Sequence, residues 1–277
     1  MRHIVVLLIL LICRPILGCD PDRIQFSSTA TEEYLAALVA CLASPDSGLR
    51  DKFAYTTLVK LLRDQRPATG QLEFLSVQLD GLLQQPDPAG VAHPFAILVL
   101  AEIARTDRIE SWMSPAQRQD LVDKAGNYLE SVVDYRGFDP AVGWRHGVAH
   151  GADLAMQLAL NPTLSKAQQR RLLQAIGQQV TPAHAYRFGE PARLARPVLL
   201  LATRDELDQQ DWQAWFTELT DPAPLSSWEA GWQDADALAR RHNLRAFALE
   251  IYLNATLSEQ PGIQAMEPYA LEVLQAL

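Results

Sequence analysis

The sequence predicts an all-α fold, a HEAT-like α/α helical-repeat superhelix of ten or eleven helices, and three observations carry that prediction. Apolar residues recur at three- and four-residue spacing through most of the 277-residue chain. Short clusters rich in Pro, Gly, Asn, Asp and Ser punctuate the chain at intervals of one helix. No segment alternates apolar and polar residues convincingly in the manner of a strand. Taken in pairs, the helices repeat at roughly 40 residues, the period of HEAT-like arrays, although no residue-level consensus accompanies that period. With 48% hydrophobic residues the chain has material for a core, and no linker interrupts the helical series, so residues 29–277 are expected to form one domain.

The first helix is signalled by Thr29-Ala30-Thr31-Glu32, a capping-box pattern in which Glu32 and Glu33 also suit the positive helix end, and is expected over 31–43. Ser44-Pro45-Asp46-Ser47-Gly48 closes it, and Phe53, Leu58, Leu61 and Leu62 set the apolar face of a second helix over 49–65. The same reading gives helices over 70–84, 92–106, 115–134, 142–160, 165–179, 190–203, 208–219, 228–254 and 265–276. Proline at the first helical turn needs no amide partner, so Ser114-Pro115 and Asp139-Pro140 read as N-caps followed by a first-turn proline. Trp228 and Trp232 lie one turn apart and share an apolar stripe with Leu238 and His242, which places both tryptophans in the core and makes His242 an interior, hydrogen-bonded histidine. Asn243 is expected to bond across helices.

Ahead of the helices, Met1-Arg2-His3 precede an apolar run of about ten residues ending at Cys13, whereas a membrane span needs about 20. A basic start, a short apolar stretch and then Pro15 before small residues have the layout of an export signal over residues 1–18. Ile16-Leu17-Gly18-Cys19 resembles the bacterial lipobox. That resemblance implies a lipidated Cys19 at a new N-terminus, a polar tether over 19–28, and a domain held at a membrane in the bacterial cell envelope, periplasmic or extracytoplasmic. A lipid on Cys19 leaves Cys41 as a small core residue with a free thiol and makes an intramolecular disulfide unavailable. The three cysteines, at 13, 19 and 41, have no metal-type spacing.

Against 33 acidic residues stand 24 basic ones, a net charge of −9, which disfavours an electrostatic grip on nucleic acid. The expected partners are therefore a membrane, through the lipid, and a protein or small molecule. The densest local chemistry lies between Asp139 and Gln157. On a helical wheel, His146, His150, Asp153 and Gln157 share a sector about 60° wide, with Gly147 and Gly151 beside them. Each glycine costs roughly 1 kcal/mol against alanine inside a helix, so the pair suggests close approach by another backbone or a ligand. Several readings fit the stripe. His146, His150 and Asp153 could ligate a divalent metal, although H-x-x-x-H-x-x-D lacks the Glu of the H-E-x-x-H peptidases. A histidine could act as general base with Asp153 as acid or orienting group, but neither Ser131 nor Ser165 has a nucleophile's setting. The stripe could also be an ordinary polar helix face, or bond to neighbouring helices.

Gly143-Trp144-Arg145-His146-Gly147-Val148-Ala149-His150-Gly151-Ala152-Asp153-Leu154 resembles the core motif of the bacterial domain-of-unknown-function family 2785, in which G-W-x-H-x-x-A-H-x-x-D-L recurs. Leu49-Arg50-Asp51, the segment Phe188-Gly189-Glu190-Pro191-Ala192-Arg193-Leu194-Ala195, and Asn243-Leu244-Arg245-Ala246-Phe247 extend the similarity over roughly residues 45–255. The resemblance implies an all-α fold and transfers no activity. Glu190 and Arg193, at i, i+3, read as an ion pair at a helix start or, alternatively, as groups facing the His146 stripe and Trp144 across a concave surface. Tyr186, near His184, reads as a surface-loop residue or a cover for such a pocket. The leading functional expectation is a tethered scaffold or binding protein with a concave groove around His146, His150 and Asp153. The competing one is a hydrolase using the same residues, with or without a divalent metal.

Overall fold

The computed structural model describes Cys19 and residues 31–277, so the expected export signal over 1–18 and the tether beyond Cys19 lie outside the described residues. The described chain is helical almost throughout. Its helices are α1 (Glu32–Cys41), α2 (Thr56–Lys60), α3 (Thr69–Leu83), α4 (Ala92–Ile109), α5 (Pro115–Ser131), α6 (Gly147–Ala159) and α7 (Lys166–Val180). They continue as α8 (Glu190–Ala202), α9 (Gln209–Thr220), α10 (Ala235–Leu257), α11 (Pro261–Gln264) and α12 (Glu267–Ala276). The short α2 sits between π-helical stretches at Gly48–Tyr55 and Leu61–Gln65. One hairpin, β1 (Phe138–Asp139) paired antiparallel with β2 (Gly143–Trp144), precedes α6.

Local chemistry fixes the helix starts. Thr31, Ser114, Ser165, Asp208 and Asp234 cap α1, α5, α7, α9 and α10, each side chain accepting a backbone N–H of the first turn. At α5 and α7 the capping is reciprocal, because Gln117 and Gln168 reach back to the cap amides. Even-numbered helices then pack on one another in the order α4, α6, α8, α10, and α5, α7 and α9 pack in a second series whose members also touch α6 and α8. Helix α6 therefore has neighbours on several sides, and all but two of its residues are buried. A continuous apolar core extends from Tyr34 on α1 to Val273 on α12. At the end of α4, buried Asp107 accepts from the amides of Trp112 and Met113, from Arg118 and from Asn161, tying two inter-helix loops together. Burial alone would raise its pKa, but these donors hold the carboxyl below its ordinary value.

Several expectations are corrected. The stretch expected to open a helix at 142 forms the hairpin, because Asp139 does not cap a helix: its Oδ1 accepts from Ala141 and Val142 and turns the chain. Trp228 and Trp232 fall in a short 3-10 turn before α10, where Trp228 is buried but Trp232 is 59% exposed under Arg241. His242 is exposed, since α10 begins seven residues later than expected and turns that position outward. Cys41 is buried as anticipated, yet its sulfur forms a disulfide with Cys19. The disulfide corrects the expectation of a free Cys41 thiol, and it occupies the Cys19 sulfur that a lipid thioether would need. Among the described residues no helix is long and apolar enough to cross a membrane.

Candidate functional site

The site is built on the junction between the hairpin and α6. Gly143 takes φ +84° at the turn, and a Cβ there would lie 3.1 Å from Ser47 and 3.3 Å from the Arg50 guanidinium. Arg50 is fully buried and anchors the hairpin: its Nη2 donates to the Val142 carbonyl at 2.7 Å and its Nη1 to the Ser44 carbonyl at 3.0 Å. Arg145, also buried, donates through Nε to the Ala89 carbonyl and lies 3.4 Å from the Asp139 carboxylate. Held from both sides, the hairpin delivers Trp144 and His146 to the start of α6.

His146 is the N-cap of α6 and adopts φ 54°, ψ 38°, a left-handed conformation that costs a non-glycine residue of order 1 to 3 kcal/mol unless its surroundings impose it. Here its carbonyl accepts the His150 amide at 2.9 Å and its ring stacks on Trp144 at 4.2 Å between centroids. The ring also faces Phe188 edge-on, and its Nδ1 is buried without a hydrogen-bond partner. Burial, more than any neighbouring charge, lowers the His146 pKa, with Arg193 acting in the same direction and Glu190 and Asp153 opposing. The imidazole is consequently neutral near pH 7, with one ring nitrogen that donates a hydrogen bond and one that accepts.

One turn on, His150 packs edge-on against Phe95, which in turn meets Tyr55 and carries the Arg50 guanidinium over its face. Burial, with Arg193 and His146 adding to it, lowers the His150 pKa to about 3. Its Nδ1 lies 3.1 Å from the Pro94 carbonyl, which can only accept, so Nδ1 carries the proton. Asp153, a further turn along, is clamped by Arg193 of α8 through both Nε and Nη2. Glu190 does not form the expected pair with Arg193; its Oε2 accepts the Phe188 amide at 2.9 Å and fixes the loop ahead of α8. Gln157, the last member of the stripe, accepts from Arg108.

The structure thus brings Trp144, His146, His150, Asp153, Glu190 and Arg193 into one neighbourhood. It does not assemble the three ligands of the metal reading: both carboxylate oxygens of Asp153 are held by Arg193, and no group of three His, Cys, Asp or Glu side chains among the described residues is placed to hold a metal ion. Neither serine is a nucleophile here: Ser131 donates to the Tyr128 carbonyl and Ser165 caps α7. The two glycines serve close packing. A Cβ on Gly151 would lie 2.6 Å from Leu129, and one on Gly147 would lie 3.2 Å from the Tyr128 hydroxyl, both on α5. Tyr186 is buried rather than on the surface, its hydroxyl lying 2.9 Å from the Gln179 carbonyl, while Asn243 accepts its amide and donates to the His184 carbonyl. Sequence reasoning missed Phe95, Tyr55 and the function of Arg50 and Phe188. Arg50 and Phe188 lay within the motif pieces, and a cation amid an apolar helical pattern was the available signal for Arg50.

The geometry is that of a small aromatic and polar face: Trp144 remains 40% exposed beside a half-buried histidine whose backbone is left-handed and whose Nδ1 is buried and unbonded, with a carboxylate and a guanidinium within electrostatic reach. No curated protein and no solved structure matches the chain. The family model described as a protein of unknown function, DUF2785, matches residues 80–253, a stretch that holds the hairpin, α6, α8 and every residue of this face, and the chain belongs to that family.

Proposed function

We propose that the protein is exported, folds as one HEAT-like helical domain, and binds a small polar ligand, or the tip of a larger partner, on the face formed by Trp144, His146, Glu190 and Arg193. The side-by-side succession of α4, α6, α8 and α10, backed by α5, α7 and α9, supports the HEAT-like reading. Export is supported by the Cys19–Cys41 disulfide, because such bonds persist in oxidising compartments outside the cytoplasm. A place in the bacterial envelope rests on the apolar segment before Cys19.

The observation that carries the binding reading is the state of His146. Buried polar atoms in folded proteins are almost always hydrogen-bonded, and strained backbone is retained where it serves a site. An imidazole that is strained, stacked under an accessible indole and left with an unbonded buried nitrogen is organised for a group that arrives from outside. The His150 ring lies 6.1 Å from it between centroids, and Asp153 and Arg193 are within electrostatic reach. Binding is preferred over hydrolysis because neither Ser131 nor Ser165 is placed as a nucleophile and no three-ligand metal group accompanies the histidines among the described residues.

A ligand-observed NMR screen of small hydroxylated, amine and carboxylate fragments against the parent protein, His146→Gln and Trp144→Ala tests this. Fragments that bind the parent and lose binding in both folded variants are expected. Retention of every hit by both variants, or the absence of any hit, contradicts the proposal.

A further inference from the structure

A second site lies beside this face. The segment after α5, the hairpin and the loop before α8 line an open cavity of about 390 Å³, near the lower end of the range occupied by small organic ligands. Its lining is rich in aromatic rings. Tyr135 stacks on His184 at 5.1 Å and 14°, and Phe138 and Phe188 flank Trp144, their rings 5.2 and 5.8 Å from the indole. Phe188 is held close, since a Cβ on Gly137 would lie 2.0 Å from its ring.

The charges on the walls do not cancel. Asp134 is bound bidentately by Arg136, and Asp139 is engaged by two backbone amides and by Arg145 at 3.4 Å. Arg187 makes no ion pair or hydrogen bond among the described residues, whereas Nη1 of Arg145 is taken up by the Asp139 carboxylate. Two acids and three arginines therefore leave one uncompensated cation, Arg187, at the cavity, in a chain whose net charge is −9. We propose that this cavity binds a small monoanion, a carboxylate carried on a planar one- or two-ring group, with the ring against the aromatic lining of Tyr135, His184, Phe138 and Phe188 and the carboxylate on Arg187. The guanidinium supplies charge-assisted hydrogen bonds to the carboxylate, and the flat walls select a planar body.

The proposal goes beyond the His146 face: His146 does not line the cavity, although its ring meets Phe188, which does. Isothermal titration with 2-naphthoate and with its neutral counterpart 2-naphthamide tests it on the parent chain and on Arg187→Gln, each checked for folding by circular dichroism. Arg187 is exposed and unpartnered, so its replacement leaves the fold intact. The expected result is binding of the acid at least tenfold tighter than the amide and a loss of about tenfold for the acid in Arg187→Gln. Equal affinity for acid and amide, no change in Arg187→Gln, or no binding by the parent up to millimolar concentration overturns it.

Discussion

Lowering the pH should destabilise the protein through His150, by an amount that follows from its burial. The folded-state pKa is about 3, while an unfolded histidine titrates near 6.5. Above pH 6.5 both states are neutral and the group contributes no pH dependence. As pH falls below 6.5 the unfolded chain takes up a proton that the folded chain refuses, and stability declines by about 1.4 kcal/mol per pH unit until the folded value is reached. Between pH 6.5 and 5.0 the loss is about 2 kcal/mol, which in a domain of this size lowers the Tm by roughly 4 to 8 °C. Urea unfolding of the parent and of His150→Gln at pH 7.0 and 5.0 measures it. His146, whose pKa burial lowers in the same direction, is present in both proteins, so their difference isolates His150. The variant should lose about 2 kcal/mol less than the parent over this interval. Identical pH dependence in the two proteins would refute the reasoning that His150 is buried in its neutral form.

The remaining expectations concern packing and covalent structure. Gly151→Ala drives a methyl to 2.6 Å from Leu129 and should cost about 1 to 3 kcal/mol, whereas Gly81→Ala on α3, with nothing within 4 Å, should stabilise by roughly 0.5 to 1 kcal/mol; parallel denaturant melts read both signs. Arg50→Met abandons the Ser44 and Val142 carbonyls and should cost about 3 kcal/mol while shifting the emission of Trp144 to the red, read against Trp144→Phe as the spectral reference. Asp107→Ala strands buried Arg118 and should cost about 3 to 5 kcal/mol in the same melts. Mass spectrometry of the unreduced protein should find a peptide in which Cys19 is linked to Cys41, and reduction should cost about 3 kcal/mol for a loop of 22 residues; a lipidated Cys19 peptide would show the reverse.

Much of the fold is legible in the sequence because helical periodicity and caps are local signals. Ser114 caps where the sequence places it, the cap of α1 is Thr31, two residues on from the Thr29 that opens the capping-box pattern, and the ends of α7, α8 and α9 fall within about two residues of expectation. The hairpin escaped because Asp139-Pro140 is ambiguous: an Asx turn and a helix N-cap use the same side-chain oxygen, and the choice is made by Arg50, ninety-two residues from Val142. The six candidate residues are neighbours, as the motif suggested, but their pairings were not readable. Asp153 and Arg193 are forty residues apart, and the approach of α6 to α8 is a tertiary fact. Glu190 lost the cation expected of it to that approach and holds the Phe188 amide instead. The disulfide was masked by the lipobox-like sequence, since one sulfur supports two incompatible expectations.

The central claim is that His146 is a neutral, preorganised group awaiting an external partner. Nitrogen-15 NMR of the imidazoles, with the histidines labelled and assigned through His146→Gln and His150→Gln, tests it most directly over pH 8 to 4. The account predicts a His146 pKa below the ordinary value near 6.5, no protonation of His150 in this range, and a selective shift of the His146 nitrogens when a binding fragment is added. A His146 that titrates at or above 6.5 and whose nitrogens no bound fragment moves would contradict it.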